Sequence, residues 1–323
     1  MGTIDDTRAT ARDGRDGLAR GNVSEIQRAR LLSAAVETVA QDGYAGLTVA
    51  QVIARAKVSR KTFYDLFVDR EDCFLAVFET TLERLSAQVA DAYLVAPSWR
   101  DGVRGGLAAL LAFVEADPEL ARLCIVDALG GGERVLAERS RVLAELCRVI
   151  DLGREQAGAQ REPPEITAEG VVGAVLAVLH ARLLERSGER YLDLHGPLMS
   201  VIVLPYLGAR AAARESGRPA PPPPRRGADR PAVARDPMAG LEMRLTYRTV
   251  RVLSAIGERP RTSNREVADG AGIADQGQIS KLLSRLEGLG LIENVDRSPA
   301  KGAPNEWRLT ERGERVERAT RPM

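Results

Sequence analysis

The stretch Leu47–Phe67 reads LTVAQVIARAKVSRKTFYDLF. Thr48, followed three residues later by Gln51, matches a capping box and starts a helix at Val49. Val49, Val52, Ile53 and Ala56 share the buried face of that helix. Lys57-Val58 is a short turn, and Ser59 is a natural N-cap for a second helix. Val58 can staple to Phe63 across that cap. The second helix buries Phe63, Leu66 and Phe67, which turns Arg60, Lys61, Thr62, Tyr64 and Asp65 outward. Upstream, Leu32, Ala35, Val36 and Val39 repeat at i, i+3, i+4, i+7 and define a preceding helix that Gly43 ends.

Two short helices joined by a tight turn, with a polar and basic outer face on the second, fit the major groove of double-stranded DNA. The candidate contacts are Arg60, Lys61 and Tyr64, with Thr62 and Thr48 beside them and Arg70 on the backbone. Arg, Lys, Thr and Tyr bond phosphates or base edges. Asp65 is a poor phosphate partner, though it can accept from a cytosine amino group. The competing reading is a solvated face on a small helical domain.

Residues 28–74, through the quoted string and the Asp69-Arg70-Glu71-Asp72 that follows, resemble the tetracycline-repressor (TetR) family of regulators. The sequence departs from the family at Lys57, where a Gly is usual; a side chain in that turn costs about 1 kcal/mol. The resemblance implies a helical domain behind the DNA head that dimerises and often holds a small effector. It further implies a homodimeric repressor on a palindromic operator, with half-sites about one helical turn apart or a multiple of it. Effector binding would move the helix starting near Arg70 and spread the two heads. No residue identifies the effector.

The composition agrees with helices. Of 323 residues, 44% are hydrophobic but only 4% aromatic, so the cores are Leu, Val and Ala. The length suggests two or three domains. Residues 25–67 hold six basic and four acidic side chains, 68–208 hold fourteen and twenty-two, and 240–323 hold fifteen and twelve. A polyanion is attracted to both ends and repelled by the middle.

Several chemistries lack their residues. His180 and His195 belong to no HExxH or Cys/His cluster, so no metal is expected. Gly130-Gly131-Gly132 has no preceding strand and no following Lys-Ser/Thr, so it is a turn and not a phosphate loop. With no nucleophile elbow and no dinucleotide fingerprint, neither an enzyme nor a cofactor is expected. Cys73, Cys124 and Cys147 show no CxxC spacing and fit buried reduced thiols of a cytoplasmic protein. A signal-peptide pattern and an apolar run of about 18 residues are both missing, so no membrane partner is expected.

The sequence divides as follows. Residues 1–24 read as a disordered arm. Residues 25–71 read as the helix-turn-helix domain, and 72–212 have the length and helical content of the dimerisation and effector domain that the TetR resemblance implies. Helices are expected over 71–94, 99–115, 118–128, 133–157, 166–186 and 192–213. The TetR resemblance implies that the last two, rich in small and apolar residues, supply the homodimer interface, over about 166–212, with Val175 and Val203 in it. The alternative is an ordinary intramolecular core. Residues 213–238 form a Pro/Arg-rich linker that includes Pro221 to Pro224.

Residues 239–323 form a further domain. Ser263 and Glu266 make a capping box, and Asp275 caps the next helix with Gln278 as its N3 partner. That helix buries Ile279, Leu282, Leu283, Leu286 and Leu289, stops at Gly290, and turns Gln276, Ser280, Lys281, Ser284 and Arg285 outward. Leu291–Val295 and Glu306–Thr310 form a hairpin around a polar loop holding Arg297 and Lys301. The string GQISKLLSRLEGLGLIENV through EWRLT resembles the winged helix of MarR-type regulators. This implies a second DNA reader, with Gln276, Ser280, Lys281 and Ser284 in the groove and Arg297, Lys301 and Arg308 in the wing. The overall expectation is a mainly α protein: helix-turn-helix, helical domain, Pro-rich linker, and winged helix with a small β-hairpin. The alternative is a ligand-binding adaptor whose wing meets protein.

Overall fold

The computed structural model describes residues 4–156, 162–185, 190–222, 238, 243–295 and 305–321, with side chains from Gly21 onward. The chain forms two compact units. Met1–Leu31, Ile53–Leu66 and Arg235–Met323 make the first; Leu32–Val52 and Phe67–Ala234 make the second.

Helix α1 runs from Ile4 to Gly46, with a break at Gly43, where φ is 69° and ψ 175°. It therefore begins inside the stretch expected to be a disordered arm, which corrects that expectation. No proline interrupts residues 4–42. Val23 and Ile26 are buried, and two apolar residues are too few to show as a periodic pattern. Farther along, Leu32, Ala35, Val36 and Val39 are buried as their spacing requires.

Helices α2 (Val49–Ala56) and α3 (Arg60–Leu66) follow. Thr48 Oγ1 accepts from the Gln51 amide at 3.2 Å, and Ser59 Oγ from the Thr62 amide at 3.0 Å. Both caps stand where the sequence placed them. Between the helices, Lys57 has φ 53°, and the Val58 amide bonds the Ile53 carbonyl at 3.1 Å. A left-handed residue with a Cβ stores strain, and the turn holds it because the flanking Ala56 and Val58 are both buried.

The second unit is helical throughout its described residues. It contains α4 (Arg70–Leu94), α5 (Trp99–Ala116), α6 (Pro118–Ile125), α7 (Glu133–Asp151), α8 (Thr167–Glu185), α9 (His195–Leu207) and α10 (Ala209–Ser216). Short 3-10 turns lie at Asp127–Gly130, Leu152–Gln156 and Tyr191–Leu194. Helices α4 and α5 pack very closely: a Cβ on Gly105 would stand 2.7 Å from the Ala92 carbonyl oxygen. One core joins Trp99, Val103, Leu107 and Leu111 of α5 to Val171, Val175 and Leu179 of α8 and Leu198, Ile202, Val203 and Tyr206 of α9. The Trp99 and Tyr206 rings meet edge to face at 5.3 Å.

The single helix expected over 192–213 is instead two. Pro205 lies inside α9, and Gly208 takes φ 78° between α9 and α10, a conformation that costs glycine little. Helix α10 extends past residue 213 to Ser216, into what was expected to be linker. Arg104 explains why the chain stays ordered there. Its guanidinium pairs with Glu215 and donates to the Pro219 carbonyl at 2.6 Å. His195 Nε2 donates to the Arg104 carbonyl at 3.0 Å. Arg104, Glu215 and His195 are all buried. Burial holds the imidazole below its ordinary range, opposed by the bond to Arg104, so it stays neutral.

The C-terminal part of the first unit contains α11 (Tyr247–Glu258), α12 (Asn264–Ala271), α13 (Gln276–Gly288), β1 (Ile292–Asn294), β2 (Trp307–Leu309) and α14 (Glu311–Thr320). The Ser263–Glu266 capping box forms, and Asp275 caps α13. The strands pair antiparallel, Ile292 opposite Leu309 and Asn294 opposite Trp307, with Thr262 bridging the far edge of Trp307. The sequence reading named neither α11 nor α14. Thr246 and Thr310 cap them, and those two threonines were the available signal.

Two stability predictions follow from this geometry. Glu215→Ala leaves the Arg104 guanidinium buried without its carboxylate. Urea unfolding should show a loss of about 3–5 kcal/mol; a loss under about 1 kcal/mol would mean the pair is dispensable. Lys57→Gly should relax the left-handed turn and raise unfolding stability by up to about 1 kcal/mol. Unchanged or lower stability in the same measurement would show that the turn is not strained.

Candidate DNA interface

On α3, Phe63 is 0% exposed, and this fixes the helix's rotation. Arg60, Lys61, Tyr64 and Asp65 are consequently exposed. The Arg60 guanidinium lies over the Tyr64 ring at 5.8 Å, and the Tyr64 ring meets Phe63 edge to face at 5.4 Å. Tyr64 thus contacts both the core residue and a cation. Leu66, expected in the core, is only partly buried.

The remaining predicted contacts around α3 have structural duties. Thr62 is half-buried, and its hydroxyl sits 2.7 Å from Ser59 Oγ. Thr48 is exposed, but its hydroxyl donates to Gln51 Oε1 at 2.7 Å while accepting the Gln51 amide. Gln51 in turn donates to Asp42 at 3.3 Å. Arg70 is exposed, yet its Nη1 donates to the Leu47 carbonyl at 2.8 Å and its guanidinium lies 5.5 Å from the Tyr44 ring centre. Arg70 therefore fastens the start of α4 to Leu47, just past the end of α1.

Sequence reasoning missed Arg134. From α7 it reaches Asp69 at 2.9 Å, Glu71 at 3.3 Å and Asp72 at 3.6 Å. These acids surround the N-terminus of α4, where Asp69 is the cap. Helix start and acids suit each other electrostatically, and Arg134 ties both to α7. The residues are more than two helices apart in sequence, so no local pattern shows the contact.

In the C-terminal part, Gln276, Ser280, Lys281, Ser284 and Arg285 are all exposed on α13, while Ile279, Leu283 and Leu286 are buried. Arg248 of α11 donates to Gln278 at 3.1 Å, which adds a cation beside that face. Arg308 is paired with Glu293 at 2.6 Å across the strands, so its charge is partly spent. Arg297 and Lys301 lie outside the described residues.

The expected interface positions Val175 and Val203 are corrected. Both are buried in the core that α5, α8 and α9 form within the chain itself. The exposed side of α8 carries instead Gly170, Gly173, Ala174, Ala177, Val178 and Ala181, and that of α9 carries Val201 and Leu204. Both helices are apolar on all sides, so periodicity could not tell the inner face from the outer. Helix α8 is long and apolar enough to cross a membrane by composition, but its inner face packs in the core just described.

Among the described residues no group of three or more His, Cys, Asp or Glu side chains could hold a metal ion. Cys73 and Cys124 are buried, and Cys147 is partly exposed. Burial pushes the Cys124 thiol up to about 12.

Residues 31–77 match the family described as bacterial regulatory proteins, tetR family. The chain is 28% identical over 160 residues to the HTH-type transcriptional activator FasR of Mycolicibacterium smegmatis, covering 48% of this chain and 73% of that protein. It is 27% identical over 135 residues to the HTH-type transcriptional repressor SCO4008 of Streptomyces coelicolor, covering 41% and 67%. An uncharacterized HTH-type transcriptional regulator of Mycobacterium tuberculosis is 30% identical over 137 residues, covering 42% of this chain and 62% of that protein. Among solved structures, the fatty acid degradation regulator FadR from Bacillus halodurans is 17% identical, with a TM-score of 0.48 over 54% of this chain and 96% of that chain. Residues 31–77 thus match a tetR-family N-terminal helix-turn-helix domain, and the relatives that extend the match are named HTH-type transcriptional regulators.

Proposed function

We propose that this chain is a cytoplasmic, sequence-specific DNA-binding repressor that acts as a homodimer and is released by a small-molecule effector. One observation carries the DNA reading: Arg60, Lys61 and Tyr64 stand exposed on α3 over a fully buried Phe63. They offer two cations and a hydroxyl-bearing ring on one short helix behind a capped turn. The relatives named above include both an activator and a repressor. The sense of regulation therefore rests on where the operator lies relative to the promoter.

The dimer reading is supported by the outer faces of α8 and α9. Gly170, Gly173, Ala174, Ala177, Val178 and Ala181 recur at helical spacing, and Leu204 is 49% exposed. Nothing stands within 4 Å of where a Cβ on Gly170 or Gly173 would be. Small residues let a second helix approach closely, and the aliphatic ones supply burial. A twofold partner covering this stripe would place two α3 helices on a palindrome.

For effector release, the link from the helical domain to the head is Arg134. It holds Asp69, Glu71 and Asp72 at the start of α4. A ligand that displaces α7 would pull on that start.

The C-terminal part is proposed as a winged helix and a second DNA reader, with α13 in the groove. Its support is the exposed row Gln276, Ser280, Lys281 and Ser284, whose groups can bond base edges or phosphates. The pairing of Arg308 with Glu293 favours the other reading, a protein-docking wing on a ligand-binding adaptor.

Lys61→Ala should weaken binding to every duplex and lower the slope of log K against log salt by about 0.9. Titration of a selected operator at several salt concentrations measures this; an unaltered slope removes Lys61 from the phosphate contacts. Leu204→Asp should give monomers in sedimentation and lose operator binding by at least about tenfold. A dimer that survives this change would remove α9 from the interface.

A further inference from the structure

The C-terminal core is not built from C-terminal residues alone. Val23 and Ile26 of α1 are buried in one cluster with Met238, Met243, Leu245, Leu253 and Trp307. Three polar side chains of the same helix complete the joint. Asn22 Nδ2 donates to the Thr320 carbonyl at 2.8 Å and to the Arg321 carbonyl at 3.2 Å. Gln27 Nε2 donates to the Leu245 carbonyl at 3.0 Å, and Arg30 Nη1 to the Met243 carbonyl at 3.1 Å.

These five residues, 22, 23, 26, 27 and 30, lie on one face of α1 at i, i+1, i+4, i+5 and i+8, while Glu25 and Arg28 are exposed on the other side. The face touches both ends of the C-terminal part: the segment that opens it, at Met243 and Leu245, and the carbonyls that close α14. All three side chains donate to main-chain carbonyls, so the joint recognises a backbone course and not a chance side chain. Such a joint is specific in position, because a carbonyl offers its lone pairs in a fixed direction. Helix α1 then continues without a break to Gly43, so it supplies the first helix of the tetR-family match as well.

We propose that the stretch 22–30 of α1 is a docking splint for the C-terminal domain, so that the α3 and α13 readers meet double-stranded DNA at one fixed spacing. The inference rests on the reading of the C-terminal part as a DNA reader. Helices α3 and α13 belong to the same compact unit as the splint. A tether alone would give a range of separations and an effective concentration set by chain length. A splint gives one separation, so the operator must carry the two sites in one register of the duplex. Each half-site then has two parts, and only the correct spacing engages both.

The test uses the full chain and an operator obtained by genomic selection. Footprints of wild type, Lys61→Ala and Lys281→Ala locate the bases under each reader. Base pairs are then inserted between the two segments. Wild type should lose about tenfold in affinity with an insertion of about 5 base pairs, half a turn of duplex. Ile26→Asp should flatten that dependence to within about twofold and speed hydrogen exchange at 243–245. If Ile26→Asp also abolishes the C-terminal melting transition, Asn22→Ala with Gln27→Ala replaces it, since that pair removes hydrogen bonds without burying a charge. Equal wild-type affinity at every spacing, with Lys281→Ala still weakening binding, overturns the splint in favour of a loose tether. If Lys281→Ala changes neither footprint nor affinity on any operator, the second-reader assignment fails and the fixed spacing falls with it.

Discussion

A seven-residue helix cannot order itself. Isolated helices shorter than about 12–15 residues are marginal in water, and α3 has only Arg60–Leu66. It exists because Phe63 is fully buried and because Ser59 and Val58 pin its start. Everything said of DNA contact depends on that one buried ring. Each residue advances the helix by about 100°, so fixing Phe63 inward fixes Lys61 and Tyr64 outward. The strained Lys57 and the capped α2 matter because they deliver the chain to Ser59 at the right angle. Sequence, turn strain and recognition surface are thus linked through one side chain.

Local signals in the chain proved legible where the physics is local. The caps at Thr48, Ser59, Ser263 and Asp275 each satisfy amides within three residues, and each formed. Lys57 was marked as a departure from a glycine position, and it is left-handed. The exposed row on α13 followed from the spacing of Ile279, Leu283 and Leu286. Failures arose where the partner is remote. Val23 and Ile26 meet residues more than two hundred positions away, and no periodicity announces that. Val175 and Val203 sit in helices apolar on every side, where composition gives burial but not direction. Arg134 and Arg104 find their partners through tertiary packing, 65 and 111 residues distant in sequence.

Charge in the middle of the chain shows the same division. Counting residues gives an acidic segment that should repel DNA. Many of those acids are already engaged: Asp69, Glu71 and Asp72 by Arg134, Asp117 by Arg84, and Asp127 by Arg122. Asp127 is still held above the ordinary carboxylate range by burial, despite Arg122. The net excess remains, but its field comes from the unpaired remainder and is screened beyond about 10 Å at ordinary salt. A count of residues therefore overstates how strongly the acidic segment acts on a distant polyanion.

The linker shows how packing overrides composition. A Pro/Arg-rich segment from residue 213 would be free from its first residue. Instead Arg104 holds Glu215 and the Pro219 carbonyl, and Arg218 reaches Asp101 at 3.4 Å. The chain is thus anchored through Pro219, and Met238 is already buried in the C-terminal core. Between them lie eighteen residues. At roughly 3.1 Å each in extended form, they could span more than 50 Å, far more than one turn of duplex. Such a length limits the distance between its ends without selecting any value below that limit. If the two readers work at a set separation, the linker cannot be what sets it. The selecting element has to be a contact with direction, and the carbonyl-bonded face of α1 is one.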